Sequence, residues 1–147
     1  MQRWMLALAA VSVAGLALAQ ETGRYKPSQN PFQGEFPFGP GRLVELLADV
    51  EGVRLDGVTV NPQEEVRPGQ QIRCEVQVTG NSVAKKKASL TTVLLLEDAG
   101  GKGIQRVQLT PFKVKAGRPF DERQTLPVAG DTLSSAMKVY VFIKIDF

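Results

Sequence analysis

Residues 137–146 alternate without a break between two kinds of side chain. In the run MKVYVFIKID, every second residue is apolar, and the residues between them are charged or aromatic. A period of two places successive side chains on opposite faces of a β-strand. The run IRCEVQVT at residues 72–79 repeats the pattern. Both segments therefore predict half-buried strands, each with one apolar face directed into a core.

Turn signals divide residues 42–147 into about seven such strands. They include Asn61-Pro62, Pro68-Gly69 and the glycine-rich stretch 98–103. No helical pattern of connecting length lies between these strands, which disfavours a parallel sheet built from βαβ units. The predicted fold class is all-β, an antiparallel Ig-like or fibronectin-like β-sandwich.

Two segments depart from plain alternation. The apolar positions change parity across Asp56-Gly57, which indicates either a β-bulge or a tight turn. Residues 120–128 are mostly polar for a strand, and this polarity favours a position at the edge of a sheet.

The first nineteen residues are predicted to be a secretory signal peptide. Arg3 precedes an apolar run of 15 residues, Trp4–Leu18, and the segment ends in the small-x-small pattern Ala17-Leu18-Ala19. Such a run is shorter than the roughly 20 residues that span a bilayer. We expect cleavage before Gln20, export to the periplasm or the cell surface, and no stable membrane span. An uncleaved anchor is the alternative.

The next two segments are predicted to precede the sandwich. Residues 20–41 are rich in Pro and Gly and lack Val, Ile and Leu, which is typical of a disordered or extended tail. Residues 42–51, RLVELLADVE, place Leu43, Leu46, Leu47 and Val50 at helical spacing, with Gly52 at the position of a C-terminal cap. This pattern predicts one short helix that leads into the sandwich domain 42–147.

Composition excludes several kinds of chemistry. The chain has no histidine and one cysteine, which excludes imidazole catalysis, His-liganded metal and an internal disulfide. Its 18 basic and 15 acidic residues leave an excess of two once Arg3 is removed, too small to indicate nucleic acid. Cys74 alternates with apolar residues and is predicted to fill the core, with a reactive thiol as the alternative. We expect no enzyme activity and no cofactor.

The order of turns and strands resembles a group of bacterial domains. The residues are Val58–Pro62, then Val66-Arg67-Pro68-Gly69-Gln70, Lys115-Ala116-Gly117 and the final strand Val139–Ile145. This order resembles Ig-like modules of the CARDB or fibronectin type III-like group over about 95 residues, from Val53 onward. The resemblance implies an adhesion or assembly role outside the cytoplasm, and it implies no catalytic residues.

Contact residues are predicted from exposed aromatic and basic side chains. Tyr140 and Phe142 lie on the outer face of the last strand, where the helix, the tail or a partner protein would cover them. The candidate interaction surface comprises Phe32, Phe36, Phe38, Tyr140, Phe142, Lys85, Lys86 and Lys87.

The predicted function is an exported, non-catalytic module that binds or adheres to an envelope protein. The alternative is an accessory periplasmic component of a pilus or secretion assembly, suggested by a helix that runs into a strand. A hydrolase that uses carboxylates is the least favoured hypothesis, because no pair among the 15 acidic residues stands out. The sequence leaves the oligomeric state open.

Overall fold

The computed structural model describes residues 23–147, so the predicted signal peptide at 1–19 lies outside the described residues. From Lys26 onward, the chain forms ten strands and one short helix, α1. The elements are β1 (Lys26–Pro27), β2 (Phe32–Pro37), β3 (Val44–Val50), β4 (Val53–Pro62), β5 (Gln71–Ser82), β6 (Ala88–Glu97), β7 (Gly103–Gln108), β8 (Phe112–Val114), β9 (Pro119–Ala129), α1 (Gly130–Ser135) and β10 (Lys138–Asp146).

The strands form two sheets of five. The first has the order β1-β3-β4-β5-β9, and the second has the order β2-β10-β6-β7, with β8 also paired to β6. Every pair is antiparallel except β1 with β3. The all-β prediction is confirmed. No helix among the described residues is long and apolar enough to cross a membrane.

Alternation in the strands builds one buried cluster from both sheets. In β10, the side chains of Val139, Val141, Ile143 and Ile145 are at most 2% exposed, as the period of two predicts. The apolar residues of β5, including Cys74, belong to the same cluster. The two sheets therefore share a single core.

The prediction of a helix at 42–51 is wrong, because most of this segment is strand β3. Its buried residues are Val44, Leu46, Ala48 and Val50, which follow a period of two. The leucines at 43 and 47 that suggested a helix face away from the core, and Leu47 adopts a left-handed φ of 48° where the register shifts. Gly52 lies in the turn to β4 instead of capping a helix; Glu51 and Gly52 both have positive φ, as a type I′ turn requires.

The prediction of a separate tail at 20–41 is also corrected over its described part. Strand β2 pairs with β10 along its whole length, from Phe32↔Ile143 to Pro37↔Lys138. Phe32 and Phe38 lie in the core. Aromatic side chains supply the apolar area that Val, Ile and Leu supply elsewhere. The folded unit therefore begins before residue 42.

Asn30 connects this segment to the second sheet. Ser28 donates its backbone N–H to the carbonyl of Asp49 in β3, which belongs to the first sheet. Two residues later, the Asn30 side chain accepts a hydrogen bond from the N–H of Ile145 and donates one to its carbonyl. The amide side chain thus continues the ladder of β2 with β10 at the point where the chain changes sheet.

The parity change at Asp56-Gly57 is a β-bulge. Strand β4 continues through it, and its register with β5 shifts between Leu55 and Gly57. The alternative of a tight turn is excluded because Val53–Pro62 is one strand. The bulge restores apolar residues to the inner face on both sides, so the prediction of a bulge is confirmed.

Strand β9 lies at the edge of the first sheet, as its polarity predicts. The backbone N–H of Gly130 donates to the carbonyl of Gln70, and that of Ser82 donates to the carbonyl of Arg118. These two bonds show that the even-numbered residues of β9 form the backbone hydrogen bonds to β5. The backbone nitrogens of Pro119 and Pro127 therefore point away from β5. Proline is tolerated there because no ladder donor is lost.

The short helix α1 was not predicted. It has six residues and connects β9 to β10. Its first residue, Gly130, lies against the carbonyl oxygen of Arg67, and an added Cβ would come within 1.9 Å of that atom. A contact this close requires glycine, so α1 depends on a neighbour distant in sequence.

Replacement of Thr92 by Val should stabilise the protein. Thr92 is fully buried in β6, and its hydroxyl has no hydrogen-bond partner among residues 23–147. Val has nearly the same shape and removes the unsatisfied group, so we expect a gain of about 1 kcal/mol in the free energy of unfolding. Urea denaturation measures it. Thr91→Val, on the partly exposed face of the same strand, should change little, and an equal gain in both variants would contradict this explanation.

Candidate interaction surface

The outer face of the second sheet carries an apolar patch centred on β10. Tyr140 pairs with Leu95, and Phe142 pairs with Val93 on the neighbouring strand β6. Alternation directs these side chains outward because Val139, Val141 and Ile143 occupy the core. All four residues of the two pairs are only half-buried. The patch is therefore apolar and accessible.

Arg106 completes the patch from β7. It pairs with Leu95 across β6 and β7, so its side chain lies on the same outer face. With the four apolar residues it lines a shallow depression of about 340 Å³. Arg106 is the only charged residue in this lining, and within residues 23–147 it forms no ion pair. We call Val93, Leu95, Arg106, Tyr140 and Phe142 the aromatic face.

Polar contacts hold the rim of the aromatic face on the side of β2. The Tyr140 hydroxyl donates a hydrogen bond of 2.6 Å to Oε1 of Gln33. Lys138 forms an ion pair of 3.5 Å with Glu35. Strand β2 therefore extends the sheet beside the two rings and does not lie over them. They remain partly exposed.

The structure separates the five predicted aromatic contact residues. Tyr140 and Phe142 lie together on the aromatic face. Phe32 and Phe38 are 8% and 6% exposed and lie in the core, which removes them from the surface. Phe36 is half-buried against the core, and its ring stacks on Phe32 with centroids 6.2 Å apart. The burial of Phe32, Phe36 and Phe38 depends on the pairing of their segment with β10. This contact joins segments distant in sequence, so local composition does not reveal it.

The predicted basic residues lie far along the strands from the aromatic face. Lys85, Lys86 and Lys87 are all exposed in the loop between β5 and β6. The structure therefore does not bring the predicted aromatic and basic residues into one site.

Val93, Leu95 and Arg106 were not among the predicted site residues. The run TVLLLE is apolar on both parities, which indicates a strand whose outer face also carries apolar side chains. That signal was available for Val93 and Leu95. Arg106 had no such signal, because its position depends on the register of β7 with β6.

Cys74 is buried in β5 and carries no sign of reactivity. It is 0% exposed, and burial raises the pKa of its thiol to about 11, with a further contribution from the charge of Glu64. Because the thiolate is the reactive form, such a thiol is inert at neutral pH. The structure agrees with the prediction that Cys74 fills the core.

Glu97 is a buried carboxyl group at the end of β6. It is 6% exposed, and within the described part of the chain its Oε1 atom has no hydrogen-bond partner. Burial raises the pKa of Glu97, and neighbouring Glu35 raises it further, while Lys138 acts in the opposite direction. The folded protein therefore holds a proton on this carboxyl group more tightly than the unfolded chain does.

Replacement of Glu97 by Gln should raise the melting temperature at pH 7. Because the pKa of Glu97 is higher in the folded protein than in the unfolded chain, the contribution of this group to stability is complete at low pH. That contribution is lost as the pH rises through the folded-state pKa. Gln stays neutral, so its advantage over Glu should appear at neutral pH and vanish at about pH 4. Thermal melts at both pH values test this. Glu45→Gln, at an exposed position, should show no such difference, and an advantage of Glu97→Gln that persists at low pH would contradict it.

No group of three or more Cys, Asp or Glu side chains that could hold a metal ion occurs within residues 23–147.

The chain matches no known protein-family model, and a search of curated proteins finds no relative. The resemblance to CARDB or fibronectin type III-like modules therefore stays a prediction. The aromatic face is the feature on which a functional proposal can rest.

Proposed function

We propose that the chain is an exported, non-catalytic module that binds a protein of the cell envelope through its aromatic face. The observation that carries the proposal is the set of partly exposed apolar side chains around Arg106, which forms no ion pair with any residue that the structure describes. Apolar patches of this kind, rimmed by polar residues, mark interaction sites on soluble domains. Aromatic residues and arginine are also the side chains that contribute most to binding at interfaces. An Ig-like classification of the sandwich belongs to this proposal, and the two antiparallel-rich sheets support it.

The chemistry of the aromatic face supports one kind of partner. A ligand that covers Tyr140 and Phe142 must be apolar, because the depression offers few polar groups in its centre. Burial of Arg106 without a counter-charge would be costly, so the same ligand must supply a carboxylate. The partner we propose is a segment with apolar side chains and one acidic residue placed to meet Arg106.

No observation favours the alternative of an accessory component of a pilus or secretion assembly. That hypothesis depended on a helix at 42–51 leading into a strand. The segment is mainly strand β3 and lies within the first sheet. We therefore propose only the binding module.

A photo-crosslinking experiment tests the proposal in the cells that export the protein. A benzophenone amino acid at position 142 should crosslink one partner, and Arg106→Glu in the same chain should abolish that product by repelling the carboxylate. The matched controls lie on the outer face of the first sheet. They are the crosslinker at Gln77 and the charge reversal Arg73→Glu.

The controls show whether crosslinking is specific to the aromatic face or occurs on any exposed part of the protein. The Gln77 position should give no product, and Arg73→Glu should leave the product at position 142 unchanged. Equal crosslinking from both positions would contradict the proposal. A product that survives Arg106→Glu would contradict the acidic segment as the ligand.

A further inference from the structure

One end of the two sheets collects basic side chains from separate loops. Strand β8 pairs with the start of β6, so Val114 faces Ala88 and Lys113 faces Ser89. Lys115 therefore follows β8 next to the lysines that precede β6. The backbone of Arg118 joins the same end, because its carbonyl accepts a hydrogen bond of 2.9 Å from Ser82. We call this group the basic end; it comprises Lys85, Lys86, Lys87, Lys113, Lys115 and Arg118.

The charges of the basic end are not neutralised by the described part of the chain. All six side chains are exposed, and within residues 23–147 none forms an ion pair. Two acids lie near this end: Glu51 accepts a hydrogen bond from the uncharged side-chain amide of Asn30, and Asp146 lies 3.8 Å from Lys144. The six basic side chains outnumber these acids and create a local positive potential.

The opposite end has mixed charge. Its loops and α1 carry three basic and four acidic residues; Arg67 forms an ion pair of 3.1 Å with Glu65, and Asp131 accepts a hydrogen bond from the backbone N–H of Gly69. The seven residues are Arg42, Arg67, Lys102, Glu64, Glu65, Asp98 and Asp131. The small net charge of the chain therefore conceals a strong difference between its two ends.

Exposed apolar side chains accompany the basic end. Val83 is 48% exposed in the loop that holds the three lysines. Phe147 is 53% exposed and follows Asp146, which pairs with Ser89. A soluble acidic polymer would use the charges alone. A bilayer surface accepts cations at its anionic headgroups and apolar side chains just below them.

We infer that the basic end docks on an anionic lipid surface. The inference goes beyond the proposed function, because the basic end and the aromatic face share no residue. Docking by the basic end would leave the aromatic face free to bind its partner.

Vesicle sedimentation tests the inference with a matched pair of variants. The protein should bind vesicles that contain phosphatidylglycerol, should not bind phosphatidylcholine alone, and should dissociate at high salt. The triple variant K85Q/K86Q/K87Q should bind about tenfold more weakly or worse. R42Q/R67Q/K102Q removes the same charge from the opposite end and should stay within about twofold of wild type. Circular dichroism checks that both triple variants fold. All variants keep residues 1–22 unchanged, so any contribution of that segment to vesicle binding is the same in each.

The variant Val83→Ser distinguishes a lipid surface from a soluble polyanion as the ligand of the basic end. It should weaken vesicle binding about threefold or more, because the apolar side chain no longer enters the interface. It should leave any binding to inorganic polyphosphate unchanged. Equal loss of vesicle binding in both triple variants would overturn the inference. Binding to polyphosphate without binding to the anionic vesicles would also overturn it and would assign the basic end to a polymer.

Discussion

Replacement of Gly80 by Ala should destabilise the protein by about 3 kcal/mol or more. Gly80 lies in β5 between Leu55 of β4 and Phe120 of β9. An added Cβ would lie 2.1 Å from the carbonyl oxygen of Arg54 and 2.4 Å from the ring of Phe120. The carbonyl belongs to a paired strand and cannot move without disturbing the ladder next to the bulge. Urea denaturation of the variant measures the loss.

Gly100→Ala is the matched control for this prediction. Gly100 lies in the β6–β7 loop, and its added Cβ would meet only Oδ1 of Asp98, at 3.4 Å. That is an ordinary contact, so the change in the free energy of unfolding should stay within about 0.5 kcal/mol. Similar stabilities for the two variants would contradict the close packing of β4, β5 and Phe120.

Replacement of Phe32 by Ala should cost about 3–5 kcal/mol. Phe32 is 8% exposed, stacks on Phe36 and contributes to the shared core through β2. Its removal leaves a cavity and also weakens the attachment of an edge strand that, among the described strands, pairs with β10 alone. If residues 20–41 were a spacer, the same substitution would have no effect on stability. The prediction therefore tests the corrected boundary of the folded unit.

Phe147→Ala applies the same substitution at an exposed position. Phe147 is 53% exposed, so its loss should change the free energy of unfolding by less than about 0.5 kcal/mol. Thermal or urea unfolding of both variants gives the comparison. Equal effects at positions 32 and 147 would contradict the burial of Phe32.

The alternation of apolar and polar residues predicted those features of the fold that a single segment of the sequence determines by itself. The two faces of β10 follow from parity alone, because each side chain's face depends only on its neighbours along the chain. Parity also marked Asp56-Gly57 as the place of a bulge or a tight turn, without deciding between them. Tyr140 and Phe142 were assigned to the outer face on the same basis. These predictions required no knowledge of which strands pair.

The errors occurred where pairing between distant segments decides the structure. Residues 42–51 fit a helical spacing through Leu43 and Leu47 and a strand spacing through Val44 and Leu46, and only pairing with β4 and β1 selects the strand. Residues 32–37 contain no Val, Ile or Leu, and their burial depends on β10. Arg106 joins the aromatic face through the register of β7, which the sequence does not display.

The central claim is that the Pro- and Gly-rich segment is an ordered edge strand that completes the second sheet beside the aromatic face. Amide hydrogen exchange measured residue by residue tests it most directly. Phe38 donates to the carbonyl of Met137, so the antiparallel ladder directs the amides of Phe32, Gly34 and Phe36 toward β10 and those of Gln33 and Glu35 toward solvent. We predict slow exchange for the first set and fast exchange for the second. Uniformly fast exchange across residues 32–38 would contradict the account.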